Sequence, residues 1–226
     1  MSTLAAVTIG VGACVLVAPY SAQLTLSAPD DDDKRWWRGR PAGTRRTLAT
    51  AIIGAALGAL AGGTAGMSAL LPALIWLAVI CTPLLVIDYE LHRLPNRLVF
   101  LGDLLAIVLL GLAAALRHDW REALRAAEGA GAVFAVLFTL CFISPKSFGY
   151  GDVKLGGLLG GYLGWFGWFY VYYGIFAGFV LGAVAGLSLI ALRRAGMKTH
   201  LPFGPAMIVG ALIVLAFDLV PAVAVH

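Results

Sequence analysis

The chain has 226 residues, of which 61% are hydrophobic and only 12% are charged. Soluble domains average about 25% charged residues, so this composition excludes a soluble globular protein and indicates an integral membrane protein. The net charge of +4 comes from residues in the polar segments. The basic cluster at 34–46 favours contact with anionic membrane lipid over nucleic acid, and we expect no nucleic-acid partner.

Eight apolar segments follow one another along the chain and predict an all-α bundle of transmembrane helices. The sixth has only about 12 residues, or about 18 Å of helix, which is too short to cross a hydrocarbon core of about 30 Å alone. We therefore predict a short helix packed inside the bundle at this point. The eight segments cover approximately residues 4–20, 48–66, 69–87, 98–116, 129–143, 153–164, 168–192 and 203–220.

The first segment has two interpretations, a cleaved signal peptide or a retained helix. No Lys or Arg precedes it, and signal peptides normally start with basic residues, so we favour the retained helix.

Lysine and arginine are distributed unequally between the two sets of loops. One set holds 13 of the 16 basic residues, and the other holds three, Arg117, Arg121 and Arg125. Cytoplasmic loops carry the excess of basic residues, so we predict a multi-pass protein of the cytoplasmic (inner) membrane with the first set inside. The predicted cytoplasmic loops are 30–47, 88–97, 144–154 and 193–201.

Cysteine and glycine have structural explanations. Cys14, Cys81 and Cys141 lie in apolar runs and form no C-x-x-C motif, so we expect neither a zinc site nor any other metal or cofactor. Glycines recur every four residues in several spans, and this spacing lets helices approach closely. The series are Gly54/Gly58/Gly62, Gly156/Gly160/Gly164 and Gly174/Gly178/Gly182/Gly186.

Two aspartates, Asp88 and Asp152, lie where apolar runs meet polar turns. A carboxylate at the rim of a membrane span is costly unless it has a partner or a function. Two of them in one small membrane protein suggest a shared catalytic site, in which one carboxyl keeps a proton and the other ionises.

Each aspartate also has a purely structural interpretation. Asp88 follows a fully apolar run and is explained equally by pairing with Arg93 or Arg97 at the membrane rim. Asp152 follows Gly149 and Gly151, and it is explained equally as a carboxylate in the first turn of a helix.

The residues around both aspartates have a recognisable spacing. Asp88 is followed after six residues by Pro95 and Asn96, which predict a helix end, a short reversed segment and a new helix. Further along come Gly149-Tyr150-Gly151-Asp152-Val153-Lys154 and Pro202-Phe203-Gly204-Pro205. Together these three motifs resemble the type IV prepilin peptidases of the G-x-G-D aspartic proteases, over roughly residues 70–220.

The resemblance implies an aspartic endopeptidase that removes the basic leader from prepilin-like proteins at the cytoplasmic membrane face. It implies that Asp88 and Asp152 are catalytic. We divide the chain into an N-terminal membrane segment with a basic cytoplasmic loop, 1–47, and a membrane-embedded peptidase domain, 48–226. The longer members of the family have an insert with paired C-x-x-C motifs associated with N-methylation, so we expect no efficient methyl transfer here.

Several other residues are candidates for binding substrate or shaping the site. Glu90 could bind a basic leader residue or pair with Arg93, and Lys154 could favour the ionised form of Asp152. A groove for the apolar helix of the substrate is expected at the glycines around Gly156, Gly160 and Gly178, where missing side chains leave room. The remaining candidates are Pro95, Asn96, Gly149 and Gly151.

Two alternative functions are compatible with the paired acids. One is a protease of the presenilin or signal-peptide-peptidase type, which cuts inside membrane spans; the Pro95-Asn96 element and the Pro-Phe-Gly-Pro stretch favour the prepilin type. The other is a small proton-coupled transporter, in which the acids relay protons.

Overall fold

The computed structural model describes residues 2–29, 35–143, 149–191 and 203–217. These ranges contain eight α-helices and one 3₁₀ turn, Trp36–Arg38, between the first two helices. The α-helices are α1 (Ser2–Ser27), α2 (Thr44–Ala65), α3 (Leu71–Leu91), α4 (Asn96–Arg117), α5 (Trp120–Ile143), α6 (Tyr150–Phe166), α7 (Trp168–Ala191) and α8 (Gly204–Phe217).

The predicted all-α membrane fold is confirmed. Six helices, α1 to α5 and α7, are long and apolar enough to cross a membrane, and α8 is a shorter apolar helix. Each predicted segment corresponds to one helix, but α1, α5 and α6 extend beyond their predicted segments, and α6 has 17 residues where about 12 were predicted. Helix α5 begins at Trp120, well before residue 129, because its backbone hydrogen bonds continue through a polar first section that hydropathy alone does not detect.

The described residues fall into two compact units. The first comprises Met1–Ile87 and Leu94–Trp120, and the second comprises Asp88–Arg93 and Arg121–His226. Both candidate aspartates therefore belong to the second unit. The division at residue 47 inferred from the sequence stays a prediction.

In the first unit, α1 and α2 pack closely through glycines. A Cβ atom at Gly58 would lie 3.0 Å from Sγ of Cys14 and closer still to the backbone of Gly10. Further along the seam, a Cβ atom at Gly62 would lie 2.5 Å from the carbonyl carbon of Ala6. The four-residue glycine spacing in α2 therefore serves close helix packing, as the sequence predicts.

The segment after α1 folds back onto that helix. The hydroxyl of Ser27 donates to the carbonyl of Trp36 over 2.7 Å, and the hydroxyl of Tyr20 donates to the carbonyl of Trp37 over 2.5 Å. Arg46 in α2 donates to Oγ1 of Thr25 over 2.9 Å. These bonds fix the start of the basic segment on the end of α1; its contact with anionic lipid stays a prediction.

In the second unit, α6 packs against α5 along its glycine face. A Cβ atom at Gly160 would lie 2.6 Å from the carbonyl oxygen of Gly129, and one at Gly164 would lie 2.5 Å from that of Arg125. At the same end, the guanidinium of Arg125 donates to the carbonyl of Trp165 over 2.8 Å. A cation there complements the negative end of the α6 dipole.

Glycines also line the contact between α7 and α8. A Cβ atom at Gly178 would lie 2.9 Å from Cα of Met207. At Gly174 a Cβ atom would lie 3.5 Å from Cα of Ala211 and 2.7 Å from a methyl group of Leu163 in α6. Helix α7 therefore holds α6 and α8 beside each other.

The predicted groove for a guest helix at Gly156, Gly160 and Gly178 is wrong. Gly156 and Gly160 face Val133 of α5, and Gly178 faces Met207 of α8. The space left by the missing side chains is thus already filled by neighbouring helices of the same chain. These glycines serve packing, which was the other interpretation of their spacing.

This packing predicts that Gly160→Leu destabilises the protein. Its side chain would be forced into Val133 and the backbone of Gly129, and overpacking a tight core costs typically about 1–3 kcal/mol. The matched control is Gly131→Leu, because Gly131 is exposed on α5 and a Cβ atom there meets nothing within 4 Å. Thermal unfolding midpoints in detergent should fall for Gly160→Leu only. Equal midpoints in the two variants would contradict the packing described for α6.

Candidate active site

Asp88 lies in the last turn of α3, and its side chain is buried, with 3% of its surface exposed. The helix ends three residues later, at Leu91. The next residue, His92, adopts a positive φ of 53° and donates its backbone N–H to the carbonyl of Asp88 over 2.9 Å. This left-handed residue terminates the helix in the manner of an αL cap. The chain therefore leaves the helix axis after Leu91, while the carboxyl of Asp88 stays buried.

The carboxylate of Asp88 accepts a hydrogen bond from the backbone N–H of Gly204, with 3.1 Å between Oδ2 and the nitrogen. Gly204 is the first residue of α8, whose initial N–H groups have no acceptor within the helix. The second residue, Pro205, has no N–H to satisfy. Asp88 thus caps α8 from another helix, and the positive end of the helix dipole favours a negative charge there.

The space around this hydrogen bond has no room for a side chain at position 204. A Cβ atom at position 204 would lie 2.6 Å from Oδ2 of Asp88 and 3.4 Å from a methyl group of Leu155. Moreover, a side chain on the residue before a proline disfavours the helical conformation, and Pro205 follows directly. Only glycine therefore allows α8 to start here with its amide against the carboxylate.

Asp152 lies in the first turn of α6 and is half-buried. Its Oδ2 accepts the backbone N–H of Gly149 over 3.3 Å, and its own N–H donates to the carbonyl of Gly149 over 3.1 Å. The predicted position at a helix N-terminus is confirmed. The two bonds attach the carboxyl to the glycine turn that precedes the helix.

The pKa of Asp152 is raised from its ordinary value of 3.8 to about 6. Burial is the main cause, and the negative charge of Asp88 raises this pKa further. The N–H of Gly149 opposes both effects, because it stabilises the carboxylate. The two carboxyls are therefore close enough to influence each other's charge.

The structure places the other predicted site residues in several parts of the fold. Gly149 is the N-cap of α6, and Gly151 lies in the first turn of that helix, next to Asp152. Glu90 is exposed in the last turn of α3, and the ammonium of Lys154 lies 5.4 Å from the ring centroid of Tyr150. Gly160 lies in the packed seam against α5.

Pro95 and Asn96 belong to the first unit. Pro95 is the N-cap of α4 and Asn96 is its first residue. The predicted helix end and helix start around these residues are confirmed, although proline and not asparagine occupies the cap position.

Sequence reasoning missed the contact between Gly204 and Asp88. The signal was present in the Pro202–Pro205 motif, where a glycine stands directly before a proline; Pro202 itself lies outside the described residues. A motif shows that a glycine is present but does not show which side chain fills the space beside it.

The arrangement provides two carboxyls with different surroundings. One is buried at the N-terminus of α8, and the other is half-buried in the first turn of α6. Because each negative charge disfavours the other, one carboxyl tends to keep a proton while its neighbour ionises. A carboxyl that keeps its proton can act as a general acid, and one that ionises can act as a general base.

We predict that Asp88→Asn lowers the pKa of Asp152, because it removes the repulsion from Asp88 while burial remains. In the wild type the folded protein holds the Asp152 proton more tightly than the unfolded chain. This proton therefore stabilises the fold below about pH 4, and that contribution is lost as the pH rises through about 6. Infrared titration of the protonated carboxyl band measures the shift, and Asp152→Asn identifies the band. An unchanged or higher midpoint would contradict the proximity of the two groups.

Comparison with known proteins places this arrangement in a family. The model of the type IV leader peptidase family matches residues 71–187, a range that includes both aspartates. A curated relative, the prepilin leader peptidase/N-methyltransferase of Pseudomonas putida, is 29% identical over 132 residues. This match covers 56% of the chain and 43% of the relative, so the chain spans less than half of that relative's length. No solved structure matches the chain. Because the family model covers more than half of its residues, the chain belongs to the type IV leader peptidase family.

Proposed function

We propose that this protein is an aspartic endopeptidase that removes the basic leader of prepilin-like proteins, with Asp88 and Asp152 as its catalytic pair. The observation that carries the proposal is the buried Asp88 carboxylate, held by the N–H of Gly204 and raising the pKa of Asp152. The family supports the peptidase reaction. The relative's printed name supports a prepilin substrate.

The proposed reaction uses one water molecule. The ionised carboxyl takes a proton from the water, and the water oxygen attacks the scissile carbonyl carbon. The protonated carboxyl gives its proton to the carbonyl oxygen. When the tetrahedral intermediate collapses, the C–N bond breaks and the leaving nitrogen takes the proton that the base removed from water. One hydroxyl of the intermediate returns a proton to the other carboxylate, which restores the pair. The products are a leader with a new carboxylate and a mature protein with a new amino terminus.

The unequal distribution of Lys and Arg supports a cytoplasmic location for the site, in the cytoplasmic (inner) membrane. The segments 88–97 and 144–154, which include Asp88 and Asp152, both belong to the set with 13 of the 16 basic residues. We assign the peptidase to residues 48–226, and the N-terminal segment 1–47 to membrane attachment. Prepilin-like proteins and membrane lipid are the proposed partners.

The proposal is limited to cleavage. The three cysteines of the chain form no C-x-x-C pair, whereas the relative's printed name also includes an N-methyltransferase. The product released by this protein alone should therefore carry a free, unmethylated amino terminus.

Asp88→Asn and Asp152→Asn should each abolish leader removal, because asparagine keeps the size of the side chain but cannot ionise. The expected loss is at least about 1,000-fold in kcat for either variant, and the double variant should be no worse, since members of a catalytic unit act non-additively. The assay uses purified protein in lipid with a synthetic peptide that carries a basic leader, a glycine and an apolar helix. Mass spectrometry of the product reads both the cleavage position and any methylation. Robust cleavage by either single variant would contradict the pair, and a methylated product would contradict the limit to cleavage.

Glu90 is the proposed contact for a basic leader residue, because its carboxylate is exposed two residues after Asp88. Glu90→Gln should raise KM several-fold with kcat unchanged, since a contact far from the reacting atoms contributes equally to substrate and transition state. Glu128→Gln is the control, because Glu128 is an exposed acid on α5. A leader with its Lys and Arg replaced by Gln should abolish the difference between Glu90→Gln and the wild type. An unchanged KM in Glu90→Gln would remove Glu90 from the leader site.

A further inference from the structure

We infer that Phe203 is a positioning residue for Asp88: its ring fixes the start of α8 on α7, and the amide of Gly204 then holds the carboxylate. This inference rests on the proposed function for its effect on catalysis. Its structural basis is a continuous series of contacts from α7 through Phe203 and Gly204 to Asp88, all within the second unit.

The first contact is between Phe203 and α7. The ring of Phe203 lies with its centroid 5.0 Å from that of Phe179, at an interplanar angle of 52°. One turn along α7, Gly182 leaves room for the same ring, because a Cβ atom there would lie 2.9 Å from Cε2 of Phe203 and 3.0 Å from Cδ2. Phe179 and Gly182 thus form a socket for the Phe203 ring.

The second contact is within the start of α8. The carbonyl of Phe203 accepts the backbone N–H of Met207 over 3.1 Å, which is the first hydrogen bond of that helix. Phe203 is therefore the cap residue of α8, and the orientation of its backbone sets the direction of the next N–H, that of Gly204. A ring held in the socket consequently fixes the Gly204 amide, which bonds Asp88.

The third contact is the bond from Gly204 to Oδ2 of Asp88, 3.1 Å long. A buried carboxylate depends on such a donor, because it has lost most of its hydration. A shift of about 1 Å at the start of α8 would lengthen this bond beyond useful range. Misplacements of this size can reduce the rate of catalysis by about 100-fold.

The central test is a pair of substitutions that should compensate each other. Gly182→Ala adds a methyl group against the Phe203 ring and should displace it, whereas Phe203→Leu removes Cε2, the ring atom that this methyl group would approach most closely. Each single variant should lower kcat about 10-fold or more with KM within about twofold. The double variant should recover most of kcat relative to Gly182→Ala. Gly131→Ala is the matched control and should leave kcat unchanged, because nothing lies within 4 Å of that position.

A second readout does not depend on activity. In protein labelled with ¹⁵N-glycine, the Gly204 amide resonance is assigned by its loss in Gly204→Ala, and its hydrogen exchange is measured. Exchange should be slow in the wild type and in the double variant, and faster in Gly182→Ala. Thermal unfolding midpoints show whether each variant remains folded.

The outcomes separate this inference from the proposed function. A wild type that does not cleave leader peptides would overturn the proposed function, and the exchange measurement would still decide whether Phe203 orders the Gly204 amide. If the wild type cleaves, a normal kcat in folded Phe203→Leu would overturn the inference. A double variant with neither kcat nor protection restored would also overturn it.

Discussion

The hydrogen bond from the N–H of Gly204 to the carboxylate of Asp88 is the interaction on which the candidate site depends. With 3% of its surface exposed, Asp88 has little water around it, and burying an isolated carboxylate is very unfavourable. The start of α8 supplies what water no longer does, a donor at 3.1 Å and the positive end of a helix dipole. The same bond satisfies an N–H that α8 itself leaves without an acceptor. This one hydrogen bond therefore caps α8 and also stabilises the buried carboxylate of Asp88.

This contact explains why small residues surround the second unit's helices. Helix α8, whose first amide bonds Asp88, lies close to α7, and Gly174, Gly178 and Gly182 permit that approach. Helix α6 must likewise lie close to α5, and Gly160 and Gly164 remove the side chains that would separate them. Without a hydrophobic driving force between helices in lipid, such close contact is a main source of helix association. The glycines thus help to position both carboxyls through helix packing.

The sequence alone predicted the helices and singled out the two aspartates, but it did not predict which residues surround each aspartate. Hydropathy located the eight helices of the described residues because breaks separate their apolar runs, and Pro95-Asn96 marked a helix boundary because proline interrupts a helix. The true ends of α1 and α5 were missed, since a helix continues through polar residues when its hydrogen bonds do. The groove predicted at Gly156 and Gly160 was wrong because glycine spacing indicates a close neighbour without identifying it. The contact of Gly204 with Asp88 joins residues 116 positions apart, and only the fold brings them together.

The central claim, that the carboxyl pair activates water for peptide hydrolysis, is tested most directly by oxygen labelling. Purified protein in lipid cleaves a synthetic peptide with a basic leader, a glycine and an apolar helix in H₂¹⁸O, under single-turnover conditions. Mass spectrometry then determines the oxygen isotopes in the new carboxylate of the released leader. The account predicts one ¹⁸O in that carboxylate from the first turnover, because water and not an aspartate carboxylate attacks the carbonyl carbon; attack by an aspartate could leave an unlabelled aspartate oxygen there. Absence of cleavage, or a first-turnover leader without ¹⁸O, would contradict it.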